Sequence, residues 1–383
     1  MDGTKDISRL TRYILIAAVV SIVVFLVWYF SNIVTYILLA AVITLIGSPL
    51  NKLLCKTHIK NVMMPRWLAS LITLLIIWGG AIAFFVLFTP LIFNKISELS
   101  QLNISEFTSS FHEPLSKINK FLEEYFSIST STHSITESMT RTINERLNLN
   151  QMSTLLSSVV SFVADTAIGL FSITFISFFF FKEENLFNKM LAALFPPKYE
   201  ENIYRAMNSV SYLLSRYFVG LLGEMAIMML MVAIGLLVCG FAVSEAFFIG
   251  LIMGLLKIIP YIGAWLGLAI SIFVGAASTM GIIPFPHMVM MIGGSVLVAE
   301  MVDNFIVQPA LFSKQVNAHP LEIFIVILVG GSIGGVIGML IAIPSYTVVR
   351  VFAREFFNHF ALVRKLTESL PDEEDMLAKR GKQ

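Results

Sequence analysis

The chain reads as an all-α polytopic membrane protein, with about six full spans plus two re-entrant or broken helical hairpins and one amphipathic helical extramembrane segment. Three observations predict this. Of 383 residues, 57% are hydrophobic and only 13% are charged, whereas soluble domains carry about 25% charged residues. Apolar runs also recur at lengths of roughly 20 residues or more, enough to cross a hydrocarbon core of about 30 Å. Finally, the apolar stretches 246–278 and 321–351 are too long for one crossing and too short for two comfortable ones. The first is split by Pro260-Tyr261-Ile262-Gly263 and the second by Gly330-Gly331-Ser332-Ile333-Gly334-Gly335. Non-helical backbone at membrane depth persists only where protein or a watery cavity satisfies its polar groups. A matched pair of such interruptions points to a transport site.

The elements follow in order. Residues 1–12 are charged and lead into an apolar run with no small-residue cleavage site, as in a retained first span. The block 13–50 is long enough for two spans joined by a tight turn at Ser31-Asn32. The loop 51–66 carries Lys52, Lys56, Lys60 and Arg66 without an acid. A third span covers 67–93, with Pro90 near its end. The polar excursion 94–151 has Ile96, Leu99, Phe107, Phe111, Leu115, Ile118, Leu122 and Tyr125 mostly three or four apart, the period of an amphipathic helix. It either packs across subunits or lies on itself or the membrane surface. Spans four, five and six fall at 155–181, 217–238 and 287–312. After Pro196-Pro197, 200–215 reads as an amphipathic helix along the inner interface, and 371–383 as a charged tail. The expected units are 1–93, 94–151 on the extracytoplasmic side, 152–181, a cytoplasmic connector 182–216, a transport core 217–356 and a cytoplasmic tail 357–383.

Lysine and arginine in short loops set the orientation. Lys5, Arg9 and Arg12 place the amino terminus inside, and the loop 51–66 and the connector with Lys182, Lys189, Lys198 and Arg205 are inside too. The stretches 241–245 and 279–287 have neither residue, which suits the outside. Lys314 before the second broken segment, and Arg350, Arg354, Arg364 and Lys365 at or beyond its end, put both of its ends inside. The first hairpin then opens outward and the second inward. Both termini are cytoplasmic.

Several classes are excluded by what is missing. No phosphate-binding Gly-x-x-x-x-Gly-Lys-Ser/Thr loop, His-Glu-x-x-His motif, intramembrane protease Gly-x-Gly-Asp element or Gly-x-Ser-x-Gly elbow is present. An enzyme reading has little support, and no metal or cofactor is expected. The net charge is +1, and no basic cluster with interleaved aromatics suggests nucleic acid. Cys55 and Cys239 lie too far apart along the membrane for a disulfide.

Ionisable residues within spans carry the positive signal. A charge near the bilayer centre costs at least about 2.5–3.5 kcal/mol on insertion scales, so it needs a partner or a role. Glu224 is roughly 12 Å into the fifth span from Arg216, and Asp303 about 16 Å into the sixth from Lys314. Glu300 and Asp303 are one turn apart, and Asn304 and Gln308 form an i,i+4 pair beside them. Lys257 lies at the tip of the first hairpin, before Pro260. Convergence at one level predicts a cation- or proton-handling site, with Asn304 and Gln308 available to a polar substrate. A salt bridge that locks the first hairpin to its neighbours is the other reading. Gly331, Gly335 and Gly338 have the small-residue spacing that lets helices approach closely. With Gly330, they could also unwind and expose amides.

At these residues the chain resembles the autoinducer-2 exporter family, also described as PerM-like permeases. The resemblance rests on Pro260-Tyr261-Ile262-Gly263, on Asp303-Asn304 with Gln308-Pro309, and on His319-Pro320 followed by Gly330-Gly331, Gly335, Gly338 and Ala342-Ile343-Pro344. Arg216-Tyr217 with Gly220, and Lys182-Glu183 after the Phe-rich end of span four, fit as well. Departures fall at Leu221, Lys257, Ala264 and Gly334, where the family often has Gln, Asn, Pro and an aromatic. The resemblance implies a multi-pass transporter of the bacterial inner membrane, a homo-oligomer (a pentamer) within the lipid bilayer. Its cargo would be a small autoinducer-2-like signal molecule or a monovalent cation, the latter by sodium/lithium–proton exchange.

Overall fold

A computed structural model describes residues 28–59, 62–100, 167–183, 186–193, 195–260, 262–278, 283–312 and 319–358, with isolated positions near the two ends. Residues 1–12, most of the first expected span, the excursion 94–151 beyond Ser100, the first half of the fourth span and the tail 371–383 lie outside them. The described chain is helical: α1 (Ser31–Lys56), α2 (Arg66–Ser100), α3 (Ala167–Lys182), α4 (Leu186–Ala192), α5 (Glu200–Val238), α6 (Val243–Leu256), α7 (Ile262–Ser278), α8 (Phe285–Val302), α9 (Gln308–Phe312) and α10 (Pro320–Phe357). Between α1 and α2, His58–Ile59 (β1) and Val62–Met63 (β2) pair antiparallel as a minimal hairpin. Among the described residues, five helical stretches are long and apolar enough to span a membrane, and α3, α6 and α7 are shorter apolar helices. Large apolar side chains point outward, among them Phe85, Leu87, Phe171 and Trp265. That surface suits lipid, where helices gain nothing by hiding leucine from leucine-like tails.

The described residues form two compact units, Met1–Ile76 with Val163–Lys189, and Ile77–Phe162 with Met190–Gln383. In the first, α1 packs on α3 through Ala40, Ile173 and Phe180. The ring of Tyr36 lies against Gly169. Polar side chains add interhelical bonds that lipid cannot replace. Ser177 donates to the Ala40 carbonyl at 3.3 Å, and buried Asn51 donates to the Phe181 carbonyl while accepting from Thr73. At the expected turn Ser31-Asn32 the structure has a kink instead. Phe30 leaves helical geometry (φ −99°, ψ 31°), with helical bonds Phe30 to Leu26 and Val34 to Phe30 on either side. The stretch contains no glycine or proline to force a reversal.

The second unit is built on α5. Its core gathers Met228, Val232 and Leu236 of α5, Ile249 and Met253 of α6, Val274 of α7, and Met288, Ile292 and Val296 of α8. Gly250 and Gly254 bring α6 onto the α5 backbone at the carbonyls of Met229 and Met225. The amphipathic stretch 200–215 continues into the fifth span as one helix, because no breaker separates Ser215 from Tyr217. Its apolar residues Ile203, Met207, Val210 and Leu213 are buried in protein. Near its start, Arg205 binds Glu355 at 2.7 Å and Tyr199 meets Phe356.

Both interrupted segments are helical hairpins. α6 ends at Leu256 and α7 begins at Ile262, and the described part of the break between them is Lys257–Pro260. In α10 the helix is broken at Gly334 (φ −132°, ψ 17°) and Gly335 (φ 58°, ψ −138°), a conformation open to glycine but not to side-chain-bearing residues. The arms 320–333 and 336–357 fold back together. Gly330 and Gly338 meet backbone to backbone, and farther along the arms Tyr346 donates to Glu322 at 2.8 Å. Arg350, counted above as a loop charge, is instead buried at 3% exposure, with its guanidinium over the Tyr346 ring.

Candidate functional site

The site forms where the broken end of α6 meets α8 and α5. Lys257 is the C-cap of α6, the helix end whose dipole favours a cation. Contact of Gly254 with the Met225 carbonyl fixes this end beside Glu224, the preceding residue on α5. A Cβ at Gly263 would strike the Leu256 carbonyl, so glycine there lets α7 start hard against the end of α6.

Opposite Lys257, α8 gives way to a π-helical turn, Asp303–Val307, before α9 resumes. Pro309 explains the turn. Proline has no N–H and its ring collides with the carbonyl four residues back, here that of Phe305. A wider turn relieves this, and the Gln308 N–H binds the Asp303 carbonyl. Single π turns inside helices are frequent at functional sites.

Five of the six expected ion or substrate residues come together. Lys257 Nζ donates to Glu300 Oε2 at 2.9 Å and Asp303 Oδ2 at 2.7 Å. Gln308 Nε2 donates to Asp303 Oδ2 at 3.0 Å and to Glu224 Oε1 at 3.3 Å. Asp303 is 1% exposed and Glu224 7%. Glu300 Oε1 and Asp303 Oδ1 are buried yet accept no hydrogen bond. Three carboxylates thus share one ammonium and one amide, an excess of acceptors and of negative charge.

Asn304 is not part of this group. Its side is exposed, because the π turn shifts the register and puts Gln308 over Asp303, five residues back. Of the residues expected to make the breaks, Pro260 lies in the first break and Gly263 in the first turn of α7, and Gly335 lies in the second break; Gly330, Gly331 and Gly338 stay helical in the arms, where Gly330 and Gly338 pack the two together. Tyr261 lies outside the described residues.

Sequence reasoning missed a second buried charge cluster. Lys95, near the end of α2, is 5% exposed and binds Glu98 at 2.7 Å, Glu245 at 3.4 Å and Ser278 Oγ at 3.2 Å. Glu245 is in the first turn of α6 and Ser278 ends α7, so Lys95 ties the two open ends of the first hairpin together. The available signal was a lysine closing an apolar span and a lone acid opening the first broken segment.

Comparison with known proteins covers the same residues. The sequence model described as AI-2E family transporter matches residues 15–358. The chain is 28% identical over 242 residues to "Putative transport protein YueF" of Bacillus subtilis (strain 168), an alignment covering 63% of this chain and 61% of that protein. It therefore spans somewhat under two thirds of that relative's length. With "Putative transport protein YrrI" of the same organism it shares 22% identity over 295 residues, covering 77% of this chain and 80% of the other. Since the family match takes in both hairpins and every residue of the carboxylate cluster, this chain belongs to the AI-2E transporter family.

Proposed function

We propose that the protein is a secondary transporter in which the Glu224, Lys257, Glu300, Asp303 and Gln308 cluster handles a coupling monovalent cation or proton. The cargo is a small polar solute of the autoinducer-2 type, moved outward across the bacterial inner membrane. Both termini are cytoplasmic and the chain works as a homo-oligomer, a pentamer in the family pattern. The observation that carries the ion-handling part is the pair of buried, unpartnered oxygens, Glu300 Oε1 and Asp303 Oδ1, beside one ammonium. Buried acceptors without a donor are costly, and a bound cation or proton would satisfy them. Intramembrane carboxylates of this kind mark ion and proton pathways.

A second reading is sodium/lithium–proton antiport with no organic cargo. It is favoured by the chemistry of the cluster, which is charged apart from Gln308, and by the outward position of Asn304. Proteoliposome flux separates these readings and tests both. Asp303→Asn and Glu224→Gln are expected to abolish coupled flux; unchanged transport in both variants overturns the ion-handling assignment. A membrane scaffold acting through 94–151 predicts instead that no solute or ion gradient produces flux in the unaltered protein.

A further inference from the structure

Lys257 is placed as an ion would be. Its ammonium touches one oxygen of Glu300 and one of Asp303, and leaves the second oxygen of each bare. The side chain is 9% exposed, and Asp303 is 1% exposed. A salt bridge that served stability alone would need its remaining acceptors satisfied by further donors to offset desolvation. Here two acceptors remain open, and the ammonium comes from a break between helices rather than from a helix interior.

We propose that Lys257 is a tethered monovalent cation that sets the charge of the ion this cluster accepts. This rests on the ion-handling reading above. With Lys257 in place, one positive charge already stands between Glu300 and Asp303, and only a singly charged ion or a proton is tolerated beside it. A divalent ion meets direct repulsion from the ammonium at a distance of a few ångströms. Without the lysine charge, the two carboxylates offer hard oxygen ligands. Ions such as Mg²⁺ are held by one or two carboxylates with retained waters, and Mn²⁺ accepts the same donors. Lys257 is therefore a specificity-determining residue.

The test measures occupancy, not transport. Purified full-length protein is titrated with Mn²⁺ and free Mn²⁺ is read by electron paramagnetic resonance, alongside thermal melting. The unaltered protein and Lys257→Arg are expected to bind no Mn²⁺ at millimolar concentration. Lys257→Gln and Lys257→Ser are expected to bind about one Mn²⁺ per chain. They should melt below the unaltered protein and recover at least half of that difference with Mn²⁺, but not with Na⁺ at equal ionic strength. Adding Asp303→Asn to Lys257→Gln should abolish the gain. Mn²⁺ binding by the unaltered protein, or failure of Mn²⁺ to occupy or rescue either variant, overturns the inference. Either result leaves the proposed function standing if Asp303→Asn and Glu224→Gln still abolish flux.

Discussion

Gln308 donates its amide to Asp303 Oδ2 at 3.0 Å although the two are five residues apart on one helix. In a regular α-helix that separation puts side chains about 140° out of register. The π turn Asp303–Val307 removes the offset, so Gln308 bridges Asp303 and Glu224 while Asn304 turns outward. A proline that bears no ligand-binding group thus arranges the polar end of the cluster.

Replacing Pro309 by alanine tests that causal chain. Alanine restores an N–H for the Phe305 carbonyl and removes the ring clash, a change worth up to about 3 kcal/mol in a helix interior. The helix then reverts toward α geometry and Gln308 rotates off Asp303. Pro309→Ala is expected to melt at or above the unaltered protein while coupled flux falls at least tenfold. A variant equally stable and equally active would show that the π turn has no part in transport.

The second hairpin depends on the close approach of Gly330 and Gly338, reinforced by Tyr346 and Glu322. A valine at 338 would strike the Gly330 backbone and part the arms. Gly338→Val is expected to cost about 2–3 kcal/mol, at the upper end of ordinary point mutations. Tyr346→Phe, which deletes a single hydrogen bond, should cost about 1 kcal/mol. Thermal melting in detergent ranks the two, and the reverse order contradicts a backbone-packed hairpin.

Lys95 makes a third prediction, on the open ends of α6 and α7. Lys95→Met leaves half-buried Glu245 without its ammonium and should cost about 2 kcal/mol. In a Lys95→Met/Glu245→Gln double variant the cost should be smaller than the sum of the singles, because neighbours in one network are not additive. Strict additivity in the melting data argues that the two side chains are not coupled.

How much of this was legible depends on what each feature requires. Both hairpins could be read, since Pro260–Gly263 and the glycines at 330–338 break apolar runs whose lengths fit no single span. The meeting of Lys257, Glu300, Asp303 and Glu224 could also be read, because charges at similar depth in lipid must find one another. Asn304 was misplaced because i,i+4 counting assumes a regular α-helix, and Pro309 changes the period locally. Arg350 was taken for a loop charge because sequence position alone does not reveal the ring of Tyr346 beneath it. Lys95 escaped notice because its partners Glu245 and Ser278 are 150 and 183 residues away. At Ser31-Asn32, polarity suggested a turn, but without glycine or proline the backbone only kinks at Phe30.

Asp303 lies at the centre of the cluster: its Oδ2 receives both Lys257 and Gln308, and its Oδ1 is left open. The decisive measurement is proton movement in proteoliposomes, followed with an internal pH-sensitive dye after imposing a Na⁺ or Li⁺ gradient. The unaltered protein is expected to move protons against the cation, unaided in the antiport reading and only with the polar cargo present in the export reading. Asp303→Glu should retain a reduced rate, and Asp303→Asn should be indistinguishable from empty vesicles. Cation-driven proton movement by Asp303→Asn at the unaltered rate would contradict the claim that this buried cluster handles the coupling ion.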